Sequence, residues 1–239
     1  MTIRPILFAL LLFVAGAVGG AAVLGLQSLR PADAAGGDVR GYLLAHPEVI
    51  PEAMEALRDR ESAKAVAANR AAIVDPFPGA VGGNPKGDVT VVAYMDYACG
   101  YCRASLPALA ELVRGDPGVR IVYRELPILS AESKTAAEWS LAAAEQGKFM
   151  AFHEALYAAG RPSEASIAAA AAAAGLDRVR AAAVARSEPV AAEIARNLKV
   201  AGAVGMSGTP SWVIGDRVAS GAIGYDALVA AVKAARVKG

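Results

Sequence analysis

The rhythm of apolar and polar positions changes several times along the chain, and each change predicts an element. From Pro5 to Leu26 no charge interrupts an apolar run, and the small-residue pattern Ala32-Asp33-Ala34 follows it. Between Val39 and Ile73, apolar residues recur near helical spacing at Val39, Tyr42, Leu43, Val49, Ile50, Ala53, Met54 and Leu57, which predicts helix. Pro47 and Pro51 divide that segment into a short helix and a longer one starting near Pro51. Asp75 to Gly87 carries three prolines and four glycines and reads as a boundary. Val89 to Met95 is β-branched and apolar, the pattern of a buried strand. Cys102 to Leu112 returns to helical spacing and stops near Gly115-Asp116-Pro117-Gly118, and Val119 to Tyr123 is a second strand.

Beyond Ala131 the pattern stays helical and alanine-rich to Val204, punctuated by Gly147, Gly160-Arg161-Pro162, Gly175 and Pro189. The run Ala168 to Ala174 is read as helix, because alanine is the strongest helix former. Strand character reappears at Ser211 to Ile214 and Arg217 to Ser220. Gly215-Asp216 between them is a hairpin signal. Tyr225 to Val237 closes the chain as an amphipathic helix. The first two strands and their crossover helix form a β–α–β unit with parallel strands. The full order, β–α–β, helical block, β–β, α, predicts an α/β thioredoxin fold with an inserted all-helical subdomain, preceded by an N-terminal helical arm. The expected divisions are 1–35, 36–75 and 76–239, with the insertion at about 131–204.

Composition narrows the function. The chain has 239 residues and a formal charge of +1, so nucleic acid has no electrostatic footprint to meet. Hydrophobic residues make up 55% of the chain, but much of the excess is alanine plus the run at 5–26, which does not describe a multi-span membrane protein. Arg4, the apolar run and the Ala-x-Ala site are the parts of a secretory signal. The run is also close to the roughly 20 residues that cross a bilayer. A cleaved signal and an N-terminal membrane anchor both remain open, and both place the rest of the chain outside the cytoplasm.

The two cysteines, Cys99 and Cys102, lie three positions apart. A structural disulfide gains most by closing a long loop, and this pair closes almost none, so its spacing points to reactivity. The motif follows a strand and opens a helix, where unpaired N–H groups and the positive end of the helix dipole stabilise a thiolate on Cys99. Cys102, one turn on, can attack a mixed disulfide formed at Cys99. A zinc site normally needs four ligands, and only His46 and His153 could join the pair. Cu(I) binding by the dithiol is chemically reasonable as a secondary role. Gly208-Thr209-Pro210-Ser211 stands where the third strand begins. A cis Thr209–Pro210 bond is expected there, letting the chain turn beside the cysteines.

Three blocks now carry a resemblance: Met95 to Cys102, Arg124-Glu125-Leu126-Pro127-Ile128-Leu129, and Gly208 to Gly215. Together they resemble the DsbA-like thioredoxin-fold disulfide oxidoreductases, and Tyr42-Leu43-Leu44-Ala45-His46-Pro47-Glu48-Val49 is similar to the N-terminal segment of the Com1 and ScsC (suppressor of copper sensitivity) branch. The resemblance covers roughly residues 38 to 235. It implies a periplasmic enzyme with Cys99 as nucleophile, Cys102 as resolving thiol, and Thr209-Pro210 as the loop that aligns the substrate backbone. No cofactor and no resident metal are expected. The implied partners are exported cysteine-containing proteins and a membrane redox partner that recycles the dithiol.

Two departures from the family pattern matter. Many thioredoxin-fold enzymes carry a buried acid six residues before the first cysteine, and here that position is Ala93. Glu125 is the candidate proton relay in its place, although a strand-end acid is more often solvated. Gly100-Tyr101 replaces the histidine that strong oxidants hold between their cysteines. Three directions stay open: disulfide donation or reshuffling, thiol reduction, and a copper-handling or chaperone-like binding module. The arm at 36–75 is expected either to self-associate or to fold back on the catalytic domain.

Overall fold

A computed structural model describes residues 38–238. The run at 5–26, and with it the signal or anchor, lies outside those residues. Among the described helices, none is long and apolar enough to cross a membrane.

The chain divides into two compact units, Met1–Glu55 and Ala56–Gly239. In the first, α1 (Val39–Ala45) starts at Asp38, whose carboxylate accepts from the Gly41 N–H at 2.8 Å. Such an N-cap satisfies one of the unpaired donors of the first turn. Helix α2 (Val49–Ala68) begins two residues before Pro51. The proline is accommodated in the first turn, where its missing N–H has no intrahelical acceptor. Val39, Tyr42, Leu44, Ile50 and Met54 are all exposed.

The second unit continues from the end of α2 into α3 (Arg70–Val74), β1 (Val81–Gly83), β2 (Val89–Met95), α4 (Gly100–Gly115) and β3 (Val119–Glu125). The insertion is α5 (Ala131–Glu145), α6 (Phe149–Ala158), α7 (Glu164–Ala173), α8 (Arg178–Ala185) and α9 (Glu188–Ala203). The hairpin β4 (Ser211–Ile214) and β5 (Arg217–Ser220) and helix α10 (Tyr225–Lys238) complete it. The sheet order is β1-β3-β2-β4-β5. Strands β2 and β3 run parallel and in full register, from Val89 opposite Val119 to Met95 opposite Glu125. The other three pairings are antiparallel.

Alternation along the central strands sends their side chains into two separate cores. Val91, Ala93, Met95, Ile121 and Tyr123 point into the larger one, with α4, the helices α5 to α8 and α10. Val92, Tyr94, Val122 and Val213 point the other way and are covered by Val66 of α2, Ile73 of α3, and Val200 and Ala201 of α9. Parallel strands need both faces covered, and this explains where residues 56–74 belong. The prolines and glycines of 75–87 suggested a domain boundary. The compact unit instead begins inside α2, because Val66 and Ile73 are needed to bury one face of the sheet.

Arg124 fixes that arrangement. Its guanidinium lies buried, donates to Ile73 O at 3.2 and 3.0 Å and to Asp75 O, and pairs with Glu193 of α9 at 2.6 Å. It thereby satisfies a carbonyl that the last turn of α3 leaves unpaired. The same proline- and glycine-rich stretch also holds β1, which the pattern did not show. Val81-Gly82-Gly83 has no alternating apolar positions and becomes a strand only by pairing with β3. Strand β3 runs two residues beyond Tyr123, since Arg124 and Glu125 are buried by partners far away in sequence.

Candidate active site

Helix α4 begins one residue after Cys99, and Cys99 is its N-cap. The Cys99 Sγ accepts from the Cys102 N–H at 3.4 Å, and its thiol faces the Thr209 carbonyl oxygen at 3.1 Å. Cys102 sits one turn on, fully buried. Burial pushes its thiol well up, opposed by a hydrogen bond from the Asp96 backbone. The two sulfurs therefore differ in kind: Cys99 lies at the helix terminus against the Thr209 carbonyl, and Cys102 is held away from water as a thiol. Both cysteines are free in this structure.

The Thr209–Pro210 bond is cis, as the sequence led us to expect. The loop is tied at both ends, by Ser211 Oγ donating to Gly208 O at 2.7 Å and by Gly221 N donating to Pro210 O at 2.8 Å. On the other side of the motif, the buried Asp96 carboxylate accepts from the N–H groups of Ala98, Ile128 and Leu129 at 2.8, 2.9 and 3.0 Å. That clamp fixes the backbone at Ile128 and Leu129. Both are exposed, as is Tyr101 between the cysteines.

Cys99, Cys102, Thr209 and Pro210 come together as the sequence suggested. Glu125 is placed differently from the solvated strand end that its type favours. It is buried on the large-core side of β3. Ser140 of α5 donates to its Oε1 at 2.8 Å, and the Tyr97 hydroxyl donates to the same oxygen at 3.3 Å. Burial raises its carboxyl to about 8, against these two hydrogen bonds, with the charges of Asp96 and Glu193 adding to the rise. No hydrogen bond among the described residues joins Glu125 to either sulfur.

Three members of this group escaped the sequence reading. Tyr97 lies two residues before Cys99, and nothing in its sequence position marks a role. Its hydroxyl meets Ser140 Oγ at 2.7 Å and His153 Nδ1 at 2.9 Å. By sequence, His153 offers only a distant metal ligand. It is buried among Tyr97, Tyr123, Phe149 and Tyr157, stacked on Phe149 with ring centroids 5.3 Å apart. Burial lowers its imidazole to about 3, so it is neutral at physiological pH. The signal was present in α6, where Phe149, Phe152, His153, Leu156 and Tyr157 fall at helical spacing on one buried face. Among the described residues, no group of three or more His, Cys, Asp or Glu could hold a metal ion.

The model of the DSBA-like thioredoxin domain matches residues 90–233, and that of the copper resistance protein ScsC N-terminal domain matches residues 36–64. Among solved structures, the chain is similar to a thioredoxin-like oxidoreductase from Silicibacter pomeroyi DSS-3, with 40% identity and a TM-score of 0.68 over 71% of this chain and 98% of that one. It is also similar to a linker-deleted mutant of ScsC from Proteus mirabilis, with 26% identity and a TM-score of 0.70 over 84% of this chain and 92% of that one. A curated relative, the Na(+)/H(+) antiporter NhaA 3 of Salinispora tropica, is 36% identical over 167 residues, which make up 68% of this chain and 25% of that protein. The chain spans about a quarter of the length of the curated relatives it matches.

Proposed function

The chain belongs to the DSBA-like thioredoxin domain family, and on that premise we propose that it is an exported thiol–disulfide oxidoreductase that forms or reshuffles disulfides in envelope proteins through Cys99 and Cys102. The observation that carries this reading is the asymmetry of the pair. Cys99 caps α4 with its sulfur against the carbonyl before a cis proline, while Cys102 is buried one turn deeper. In the oxidising direction a substrate thiolate attacks Cys99 Sγ. The Cys99–Cys102 bond breaks, a mixed disulfide forms on Cys99, and Cys102 leaves as a thiolate and takes up a proton. A second substrate thiolate then displaces Cys99. The substrate gains a disulfide, and two electrons remain on the pair for a membrane partner to remove. Thr209 and Pro210 align the substrate backbone, and Glu125 supplies and recovers the proton of Cys102.

The competing direction is reduction, and the reduction potential separates the two. With Gly100-Tyr101 in place of a histidine, the thiolate is less stabilised than in a strong oxidant. The potential is expected between about −120 mV, typical of such an oxidant, and about −270 mV, typical of thioredoxin. Equilibration with glutathione buffers measures it. A value at or below the thioredoxin end would assign the protein to the reductases.

The arm is proposed to make the protein an oligomer through residues 38–55, where Val39, Tyr42, Leu44, Ile50 and Met54 are exposed. A short helix in water gains stability when its apolar stripe is covered by another. Residues 62–74 must be spared in any truncation, because Val66 and Ile73 belong to the core. Light scattering should give a multiple of the chain mass for residues 36–239 and a single chain for residues 56–239. A single chain in both removes the oligomer, and with it the support it lends to reshuffling.

A further inference from the structure

Glu125 is buried, yet the proposed relay requires its carboxyl to change protonation in every cycle. A proton must therefore reach it from somewhere. One side is closed by α9, where Asn197 Nδ2 donates to Glu125 O at 3.1 Å and Glu193 is engaged with Arg124. The other side leads outward through hydrogen-bonding groups. From Glu125 Oε1 the contacts run to Ser140 Oγ at 2.8 Å and Tyr97 Oη at 3.3 Å, then from Tyr97 Oη to His153 Nδ1 at 2.9 Å. With Nδ1 taken inward, His153 Nε2 is buried and left without a partner among the described residues, so a water must press in from the adjoining cavity to reach it.

His153 also lines a cavity of about 670 Å³ between α4 and α6, walled by Leu106, Ala110 and Met150 and floored by Gly82. The cavity is far larger than the roughly 30 Å³ share of one water molecule. Glycine keeps its floor open, since a Cβ on Gly82 would stand 3.0 Å from the Tyr123 ring and 3.4 Å from Met150 Sδ. The cavity lies over β1 and β3. Thr209 and Pro210 lead into β4, on the far side of β2.

We propose that Tyr97 and His153 form a proton conduit between Glu125 and this cavity, so that the carboxyl exchanges with solvent by a route separate from the substrate loop. The inference rests on reading Glu125 as the proton relay of the dithiol. A neutral imidazole holds one N–H and one lone pair, so it can accept a proton at one nitrogen while releasing another from the opposite one. Inward transfer moves a proton from cavity water to Nε2, the Nδ1 proton to Tyr97 Oη, and the Tyr97 proton to the Glu125 carboxylate. One proton is delivered, no bond between heavy atoms changes, and the ring ends as its other tautomer. When the dithiol is reoxidised, Cys102 returns its proton, and the outward transfer resets the ring.

The surroundings fit this role. Besides Tyr97 and His153, the titratable and charged groups near the carboxyl are Asp96, Tyr157 and Glu193, with Arg124 paired to the last, and at the cavity end Tyr123, Arg103, Arg114 and Glu154 line the wall. Tyr157 stands next to both ends of the relay. Its hydroxyl donates to Asp96 O at 3.0 Å and its ring lies 4.7 Å from that of Tyr97. Its ionisation is opposed first by burial and next by charge on Cys102, Tyr97 and Glu125.

The test follows Glu125 itself in the full chain. The infrared band of its protonated carboxyl is assigned by its loss in Glu125→Gln, and its decay is timed after a jump from about pH 6 to about pH 10, either side of the value near 8. His153→Phe breaks the chain, and Ala110→Trp fills the cavity from its exposed wall without touching the chain. Both should slow the decay about tenfold or more. The equilibrium midpoint and the reduction potential in Ala110→Trp should stay unchanged. Decay as fast as in the unsubstituted protein in either variant overturns the conduit. That result would leave the exchange chemistry standing, because the band is read without substrate. Loss of the redox couple itself would instead sink the functional reading and leave the proton measurement intact.

Discussion

Cys99→Ser should remove thiol–disulfide exchange down to the background of free thiols, a loss on the order of a thousandfold or about 4 kcal/mol of barrier lowering. A serine hydroxyl at the N-cap keeps the helix start, because serine is among the preferred caps. It does not attack disulfides at neutral pH, so the variant separates structure from chemistry. The fold should be retained, since Cys99 contributes no hydrogen bond that an oxygen cannot make: it accepts from the Cys102 N–H and faces the Thr209 carbonyl. Turnover of a peptide disulfide, with circular dichroism as the control for folding, checks this. Residual catalysis within tenfold of the unsubstituted protein would place the nucleophile elsewhere.

Glu125→Gln should change how stability depends on pH by a few kcal/mol. Burial raises the folded carboxyl from 4.5 to about 8. Between those values the unfolded chain has released a proton that the folded chain still holds. The contribution of the neutral carboxyl is thus fully present below about 4.5, falls as pH rises, and is gone above about 8, with a slope approaching 1.4 kcal/mol per pH unit. His153 has the opposite sign. Its folded value is lowered from 6.5 to about 3, so it makes stability rise with pH across that interval. The two slopes oppose each other between about 4.5 and 6.5, and above that Glu125 acts alone. An amide at 125 mimics the protonated acid and removes the falling limb. Urea unfolding at several pH values should show the variant and the unsubstituted protein close together near pH 5 and the variant more stable near pH 9. Parallel curves would mean that Glu125 titrates alike in both states.

The sequence showed most clearly those features whose signals are local. Val89 to Met95 could be recognised as a strand because a β-branched run buried on both faces needs no partner to be identified. The cysteine pair stands out because a strand, a CxxC motif and a helix are consecutive. The same local logic failed for β1, whose Gly82 and Gly83 become strand only through hydrogen bonds to β3. For residues 56–74 it left self-association and packing on the sheet both open, because helical spacing shows that a stripe exists and not what covers it. Val66 and Ile73 cover a face of the sheet formed by residues up to about 150 positions later, including Val213. Glu125, Tyr97, Ser140 and His153 are spread over β3, the active-site turn and two helices of the insertion. Their hydrogen bonds span 15 to 56 positions, a range that no window along the chain contains. A buried acid is also rare enough that the sequence favoured a solvated one.

The most direct test of the central claim is the fate of Cys102→Ser when it meets a disulfide substrate. With Cys99 as the nucleophile and Cys102 as the resolving thiol, the first attack proceeds and the second cannot. One substrate molecule per chain should then remain bound through a disulfide. Peptide mapping should place it on Cys99, and a reductant should release it. Loss of activity in Cys102→Ser equal to that in Cys99→Ser, with no trapped adduct, would contradict the assignment of the two roles.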